Sequence, residues 1–286
     1  MNLLLLGATG MLGHKLLQQL SQGHEVWGTV RGEPSEAPEI PGVARSRLIG
    51  GVTASDLGSI RRAMARVDAA VVLNCIGIVK QIDAGKDPIA SITINALLPH
   101  QLSRICAQAG ARLIHFSTDC VFSGGGGAHR ESDPPDPSDL YGRTKLLGEL
   151  DDPHCFTIRS SIVGRELRRG TGLFDWFLSQ QGGQVRGYRH ALYTGLTTLA
   201  MADVVRLVLE SHPELSGVWQ VSADPIDKCS LLELVEQVYG LGIRIEPDLD
   251  FHCDRRLDSS RFRAATGWVP PTWQAMIEAM HADPLL

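Results

Sequence analysis

Leu3 to Leu6 form an uninterrupted apolar run that breaks at once into Gly7, Gly10 and Gly13. A short apolar run bounded by glycine predicts a strand buried on both faces. Helical spacing of apolar positions follows over 11–22, with Gly23 as a stop. The chain then predicts strands at 25–30 and 47–49, separated by a proline-bearing loop at 32–42. Ser55 or Asp56 is placed to cap a helix through Arg66, ahead of an apolar strand at 69–75. The alternation continues as helix 95–109, strand 112–117, helix 140–150 and strand 155–162. Strand and helix in alternation predict an α/β fold, a doubly wound parallel sheet of the Rossmann type with right-handed crossovers on both faces.

Beyond Gly164 the regularity loosens. Helices are expected at 173–180 and 200–210, and a returning strand at 218–221. Ser230-Leu231-Leu232-Glu233 has the form of a capping box ahead of a helix through Tyr239. Two further helices fall at 259–266 and 273–280. The natural division is a dinucleotide-binding domain over 1–165, with a returning part around 192–221, and a smaller, interleaved C-terminal α/β substrate-binding subdomain over 166–286.

Composition narrows the classes. With 43% hydrophobic and 21% charged residues in 286, a sizeable core can be buried and global disorder is excluded. Lys+Arg of 27 against Asp+Glu of 32 gives a net charge of -5, without the basic excess of a non-specific nucleic-acid binder. No apolar run approaches the ~18–20 residues of a membrane span. The opening leucines lack the basic start of a signal peptide, so a cytoplasmic protein is expected. The six cysteines include no C-x-x-C pair and read as reduced thiols. The ten histidines form no metal-ligand spacing, and no metal is expected. Phe174, Trp176 and Phe177 read as packing residues, and Arg165, Arg168 and Arg169 as a solvated loop or a phosphate contact.

Candidate chemistry begins at Gly7-Ala8-Thr9-Gly10-Met11-Leu12-Gly13, between the first strand and the first helix. Glycine permits the tight turn and lets a pyrophosphate approach the helix N-terminus, whose free N–H groups and dipole favour anionic oxygens. The second strand ends at Thr29-Val30-Arg31, with no carboxylate where an NAD site would hold the ribose diol. Arg31 is placed to pair with a 2′-phosphate, which favours NADPH over NADH.

Tyr141 and Lys145 stand four residues apart, on one face of a predicted helix. A phenol with a reference pKa of about 10 becomes a useful proton donor and acceptor near neutrality when a cation stabilises its anion, and Lys145 can supply that charge. Ser117-Thr118-Asp119 closes the strand at 112–117, at the end of a parallel sheet where ligands bind. Thr118 can hydrogen-bond a substrate carbonyl beside Tyr141.

These segments together, GATGMLG, NCIG (74–77), INALLP (94–99), FSTDCVFSG (116–124) and YGRTKLLGE (141–149), resemble an extended short-chain dehydrogenase/reductase of the dTDP-4-dehydrorhamnose reductase branch. The resemblance implies reduction of the C4 ketone of a nucleotide-linked 4-keto-6-deoxy sugar by NADPH or NADH. It implies Thr118, Tyr141 and Lys145 as the catalytic set, and Gly7, Thr9, Gly10, Met11, Leu12 and Gly13 along the pyrophosphate. Cys75, Ile76 and Gly77 would pass the cofactor ribose, Ser161 and Ile162 would flank the nicotinamide, and Asn95 would hold an interior helix. Asp119, Cys120, Arg186, Tyr193 and Arg256 would face the substrate, with Arg189, Thr194 and Arg255 nearby. The branch carries tyrosine where this chain has Cys120, which leaves the sugar open. A homodimer through the helices near 95–109 and 140–150 is implied as well, and the glycines at 124–127 suggest a mobile loop over the site or a plain connection. Two other readings stay open: a non-catalytic dinucleotide-binding regulatory subunit, and a nucleotide-sugar epimerase or dehydratase on the same fold.

Overall fold

The computed structural model of the protein describes residues 1–81, 83–168 and 170–285; Arg169 of the basic group lies outside them. Burial on both faces explains the all-leucine opening. In β1 (Asn2–Leu6), Leu3 and Leu5 enter one hydrophobic cluster, while Leu4 and Leu6 enter another on the opposite face. All four are fully buried, each worth about 1.5–3 kcal/mol of transfer free energy. The first cluster is completed by Leu16 and Leu17 of α1 (Met11–Leu20), and the second by Ile60 and Met64 of α2 (Leu57–Val67).

Between these helices lie β2 (Glu25–Thr29) and the two-residue β3 (Leu48–Ile49), entered through a 3-10 turn at Arg45–Arg47. The chain then crosses back to β4 (Val71–Asn74). The helix expected at 95–109 begins earlier: α3 (Pro88–Ser91) runs through a π turn, Ile92–Leu97, into α4 (Leu98–Ala109). β5 (Arg112–Phe116), α5 (Leu140–Leu147) and β6 (Cys155–Arg159) follow. The strand expected at 155–162 is two strands, because the chain leaves the sheet at Ser160 and Ser161 and re-forms as β7 (Ile162–Val163).

Next come α6 (Leu173–Leu178), β8 (Gln184–Tyr193), β9 (Leu196–Thr197), α7 (Thr198–Ser211) and β10 (Gly217–Gln220). The chain finishes with β11 (Ile226–Asp227), α8 (Lys228–Tyr239), β12 (Arg244–Asp254), α9 (Ser260–Thr266) and α10 (Trp273–His281). The capping box expected at Ser230 is not what starts α8. The cap is Asp227, whose carboxylate accepts from the Ser230 N–H at 2.8 Å and from its hydroxyl at 2.6 Å, so Ser230 lies inside the first turn.

The main sheet is parallel throughout, in the order β10-β6-β5-β4-β1-β2-β3. Strand order reverses between β1 and β4, so the crevice for a ligand opens beyond their C-terminal ends. A second sheet, β11-β8-β12, was not visible in the sequence pattern, and β7 pairs with β9 in a third. The 124–129 segment is not free: Gly125 and His129 form bridges to Asp254 and Leu257, and His129 stacks on Phe122 at 3.9 Å. Among the described residues no helix is long and apolar enough to cross a membrane.

Candidate active site

The turn after β1 sits in the crevice where the strand order reverses. Gly7 has φ of 84°, a left-handed conformation, and its N–H donates to the Thr29 hydroxyl at 3.2 Å, tying the turn to the end of β2. A Cβ on Gly13 would lie 2.1 Å from the Gly7 carbonyl oxygen, so only glycine lets α1 approach this closely. A Cβ on Gly10 would meet nothing nearer than 3.5 Å. Its outer side is open, at the helix end where Met11, Leu12 and Gly13 present N–H groups without intrahelical acceptors. Thr9 is half-buried beside them. A backbone cradle that glycine keeps clear, facing a helix N-terminus, fits a dinucleotide pyrophosphate. Arg31 is exposed just past β2 and makes no ion pair among the described residues.

β4 ends alongside. Its continuation through Cys75, Ile76 and Gly77 packs against the glycine turn, a Cβ on Gly7 lying 3.2 Å from Cys75 backbone atoms. Asn95, buried in the π turn, holds this segment from beneath. Its side chain accepts from the Ile78 N–H at 2.8 Å and donates to the Ile78 carbonyl at 2.9 Å and the Thr144 hydroxyl at 3.3 Å. One side chain thereby couples the β4 loop to α5.

One strand further, β5 delivers Thr118 and Asp119, both buried. The Thr118 hydroxyl accepts from the Cys120 N–H at 3.1 Å and lies 3.2 Å from an Asp119 carboxylate oxygen. Asp139 caps α5 by accepting from the Gly142 N–H at 2.7 Å, and a Cβ on Gly142 would clash with the Cys120 carbonyl. That close packing sets Tyr141 against the Thr118–Cys120 turn. Burial raises the Tyr141 phenol above its ordinary pKa, Cys120, Asp119 and Asp139 add to the rise, and hydrogen bonding with Thr118 opposes it.

Lys145, one turn on, is buried and donates to the Phe116 carbonyl at 2.6 Å. Burial lowers its ammonium to about 8, with Glu149 and Cys75 acting in the opposite direction. Glu149 is itself locked in a buried fork: Arg159 donates to it at 2.7 and 2.6 Å, and the Ser117 hydroxyl at 2.7 Å. Ser161 and Ile162 stand half-buried just past β6, and the Ser161 carbonyl is taken by the Leu196 N–H.

The residues expected on the substrate side divide. Asp119, Cys120 and Tyr193 come together, the buried Tyr193 phenol lying within electrostatic reach of both others. Arg256 is held by Asp254 through contacts of 2.7–3.1 Å, while Arg255 beside it reaches the Cys120 sulfur at 3.4 Å and the Ser123 carbonyl at 3.2 Å. Arg186 is exposed near the far end of β8, seven residues and about 23 Å along an extended strand from Tyr193. Arg189 pairs with Asp227 and Glu233, and Thr194 accepts from the Leu257 N–H. Lys228, which no motif marked, brings its ammonium to 3.5 Å from the Tyr193 ring centroid.

A parallel sheet with a glycine turn at its switch point and a Tyr–Lys helix two strands away defines a short-chain dehydrogenase/reductase type of α/β protein. Comparison with known proteins agrees: residues 1–169 match the family described as RmlD substrate binding domain, and the chain belongs to it. Over 165 residues it is 43% identical to dTDP-4-dehydrorhamnose reductase of Mycobacterium tuberculosis, a match covering 50% of this chain and 54% of that protein. Over 242 residues it is 30% identical to the spore coat polysaccharide biosynthesis protein SpsK of Bacillus subtilis, covering 82% and 77%. The first of these matches spans about half the length of the curated relative. A solved dTDP-4-dehydrorhamnose reductase from Bacillus anthracis, in complex with NADP, shares the fold with a TM-score of 0.79 at 16% identity, over 98% of each chain.

Proposed function

We propose that the protein is an NAD(P)H-dependent reductase of a nucleotide-linked 4-keto-6-deoxy sugar. The observation that carries this is the placing of Thr118, Tyr141 and Lys145 at the end of β5, two strands and about 10 Å from the glycine turn of β1. The curated relatives named as dTDP-4-dehydrorhamnose reductases and the NADP complex of the Bacillus anthracis protein support the same reading. Gly7, Thr9, Gly10, Met11, Leu12 and Gly13 would hold the pyrophosphate, Arg31 a 2′-phosphate, Cys75, Ile76 and Gly77 the ribose, and Ser161 and Ile162 the nicotinamide side. Bound there, the reduced nicotinamide supplies a hydride.

The chain's own residues do the rest. Thr118 and Tyr141 donate hydrogen bonds to the ketone oxygen and polarise it. Burial keeps the Tyr141 phenol protonated until negative charge develops on that oxygen, and the proton then passes from phenol to alkoxide. Lys145 holds positive charge beside the resulting phenolate, and Asp119, Cys120 and Tyr193 line the sugar side. Ile89, Ile92, Leu97 and Leu147 are exposed apolar residues on α3, the π turn and α5, and they support a homodimer through this face.

The test is oxidation of NADPH and NADH by the purified protein with a panel of 4-keto-6-deoxy nucleotide sugars. Turnover is expected to fall by about 10²–10⁴-fold in Tyr141→Phe, with cofactor affinity nearly unchanged. Cofactor binding without turnover on any ketone of the panel would overturn the reductase and favour the regulatory reading.

A further inference from the structure

Lys228 is a titratable group that reduction does not use. It opens α8, its ammonium lies over the Tyr193 ring at 3.5 Å, and it has no hydrogen-bond acceptor or ion-pair partner among the described residues. The groups around it are those of the reaction centre. The Asp119 carboxylate favours its charge and Lys80 opposes it, with the Cys120 and Cys253 thiols also near. The Tyr193 ring under Lys228 brings its hydroxyl to Gly195, where it and the Ser161 carbonyl crowd the same Cβ position, next to the segment proposed to flank the nicotinamide. Asp119 and Cys120 also act on Tyr141. Arg255, on the same two cysteines and Asp119, supplies a permanent cation there. Apart from this cation–π contact with Tyr193, Lys228 has no partner among the described residues, and it has no part in delivering hydride or the Tyr141 proton.

A ketone whose oxygen is hydrogen-bonded by Thr118 and Tyr141 has acidified C–H bonds on the adjacent carbons. We propose that Lys228 is an acid–base residue that exchanges a proton on the carbon next to the ketone, giving the protein an α-proton exchange and epimerisation activity separate from reduction. The inference rests on the proposed binding of a ketone at this site.

The step needs no oxidant or reductant. The neutral amine of Lys228 takes the proton from the α-carbon, and the C–H electron pair becomes a carbon–carbon double bond as the carbonyl pair moves onto oxygen. Tyr141 and Thr118 stabilise the enolate by hydrogen bonding. The ammonium exchanges protons with water, then returns one to carbon, and the carbonyl re-forms. Burial brings Lys228 to about 8, so near neutrality both the amine that accepts and the ammonium that donates are populated. Return of the proton to the same face washes solvent hydrogen into the ketone. Return to the opposite face inverts the carbon.

The experiment incubates the full chain with NADP⁺ and a nucleotide-linked 4-keto-6-deoxy sugar in D₂O, following loss of the α C–H signals by proton NMR. No hydride is available, so exchange is read apart from reduction, which is assayed in parallel with NADPH. Wild-type protein is expected to exchange at least tenfold faster than the protein-free control. Lys228→Met is expected to lower the ratio of exchange to reduction at least tenfold. Lys228→Arg, which keeps the cation but cannot become a neutral base, is expected to do the same, with a melting temperature near wild type. A protein that reduces the ketone but leaves its α protons in place overturns this proposal alone, as does exchange that survives in either variant. A protein that neither reduces nor exchanges any ketone of the panel overturns the ketone reading and this inference together.

Discussion

Lys145 links stability to pH, and on the proposed mechanism links rate to pH with the opposite sign. Its ammonium is brought from the ordinary lysine range to about 8 by burial, against the pull of Glu149 and Cys75. Below pH 8 the folded and unfolded chains both carry the proton, and the cost of burying that charge is fully present. Between about 8 and the ordinary value the folded chain gives up its proton first. The unfolded state then binds more protons, and stability rises with pH, Lys228 adding to the same slope. In the proposed reaction turnover runs the other way, because an uncharged Lys145 would not support the Tyr141 anion. A plot of kcat against pH is expected to fall about tenfold per pH unit above 8. Glu149→Gln removes the carboxylate that favours the Lys145 charge, so the falling limb is expected to move to lower pH; a limb that stays in place would separate it from Lys145. Tyr141 and Lys145 were legible in the sequence because their four-residue spacing has one geometric meaning on a helix. Lys228 was not, since a single lysine at a helix start belongs equally to any solvated surface, and only the fold brings it over Tyr193 at the end of β8 and near Asp119 after β5.

At the level of elements, the main sheet could be read because parallel strands buried on both faces leave runs such as Leu3–Leu6 and Val71–Asn74 that polar sequence cannot imitate. β8 and β12 escaped the same reading for a physical reason. The inward positions of β8 include Gly187, which packs on Cys229, and Arg189, which pairs with Asp227 and Glu233, so no apolar alternation survives. β12 is largely solvated, contains Pro247, and shifts register between Asp248 and His252. The glycine turn shows the opposite case, where spacing is legible but the roles of individual glycines are not. Gly13→Ala would drive a Cβ into the Gly7 carbonyl and is expected to cost about 1–3 kcal/mol or more through overpacking, lowering Tm. Gly10→Ala has room and an ordinary φ of -76°, so Tm is expected to hold, while the new methyl obstructs the open side of the turn and weakens dinucleotide binding about tenfold or more. Calorimetry of both variants beside NADPH titration separates the two; equal loss of binding and Tm in both would mean that the turn acts only as a structural element.

For the whole molecule, two contacts beyond the reacting side chains matter, one proposed with a second copy and one within the chain. The exposed Leu147 on α5 is 63% accessible, and a charge there is expected to leave the fold intact but split a homodimer. Light scattering on Leu147→Glu would show a change from dimer to monomer, and a wild-type monomer would remove the dimer from consideration. The second contact joins the two ends of the described chain. Lys15, on the helix whose N-terminus faces the proposed pyrophosphate site, is 1% exposed and ion-paired with Asp283, 268 positions away and 5% exposed. Gln18, one turn further along α1, donates to the carbonyls of Pro41 at 2.9 Å and Leu285 at 3.2 Å. Residues after α10 therefore pack against α1 from behind. Removing one partner leaves a buried charge without compensation, which costs about 3–5 kcal/mol, whereas replacing both by apolar side chains of similar size is often neutral or stabilising. Asp283→Ala is accordingly expected to lower the urea midpoint strongly and to weaken NADPH binding through α1, while Lys15→Met combined with Asp283→Leu recovers most of both. If the single variant loses stability but binds NADPH as wild type does, the pair supports the core without setting the position of the glycine turn.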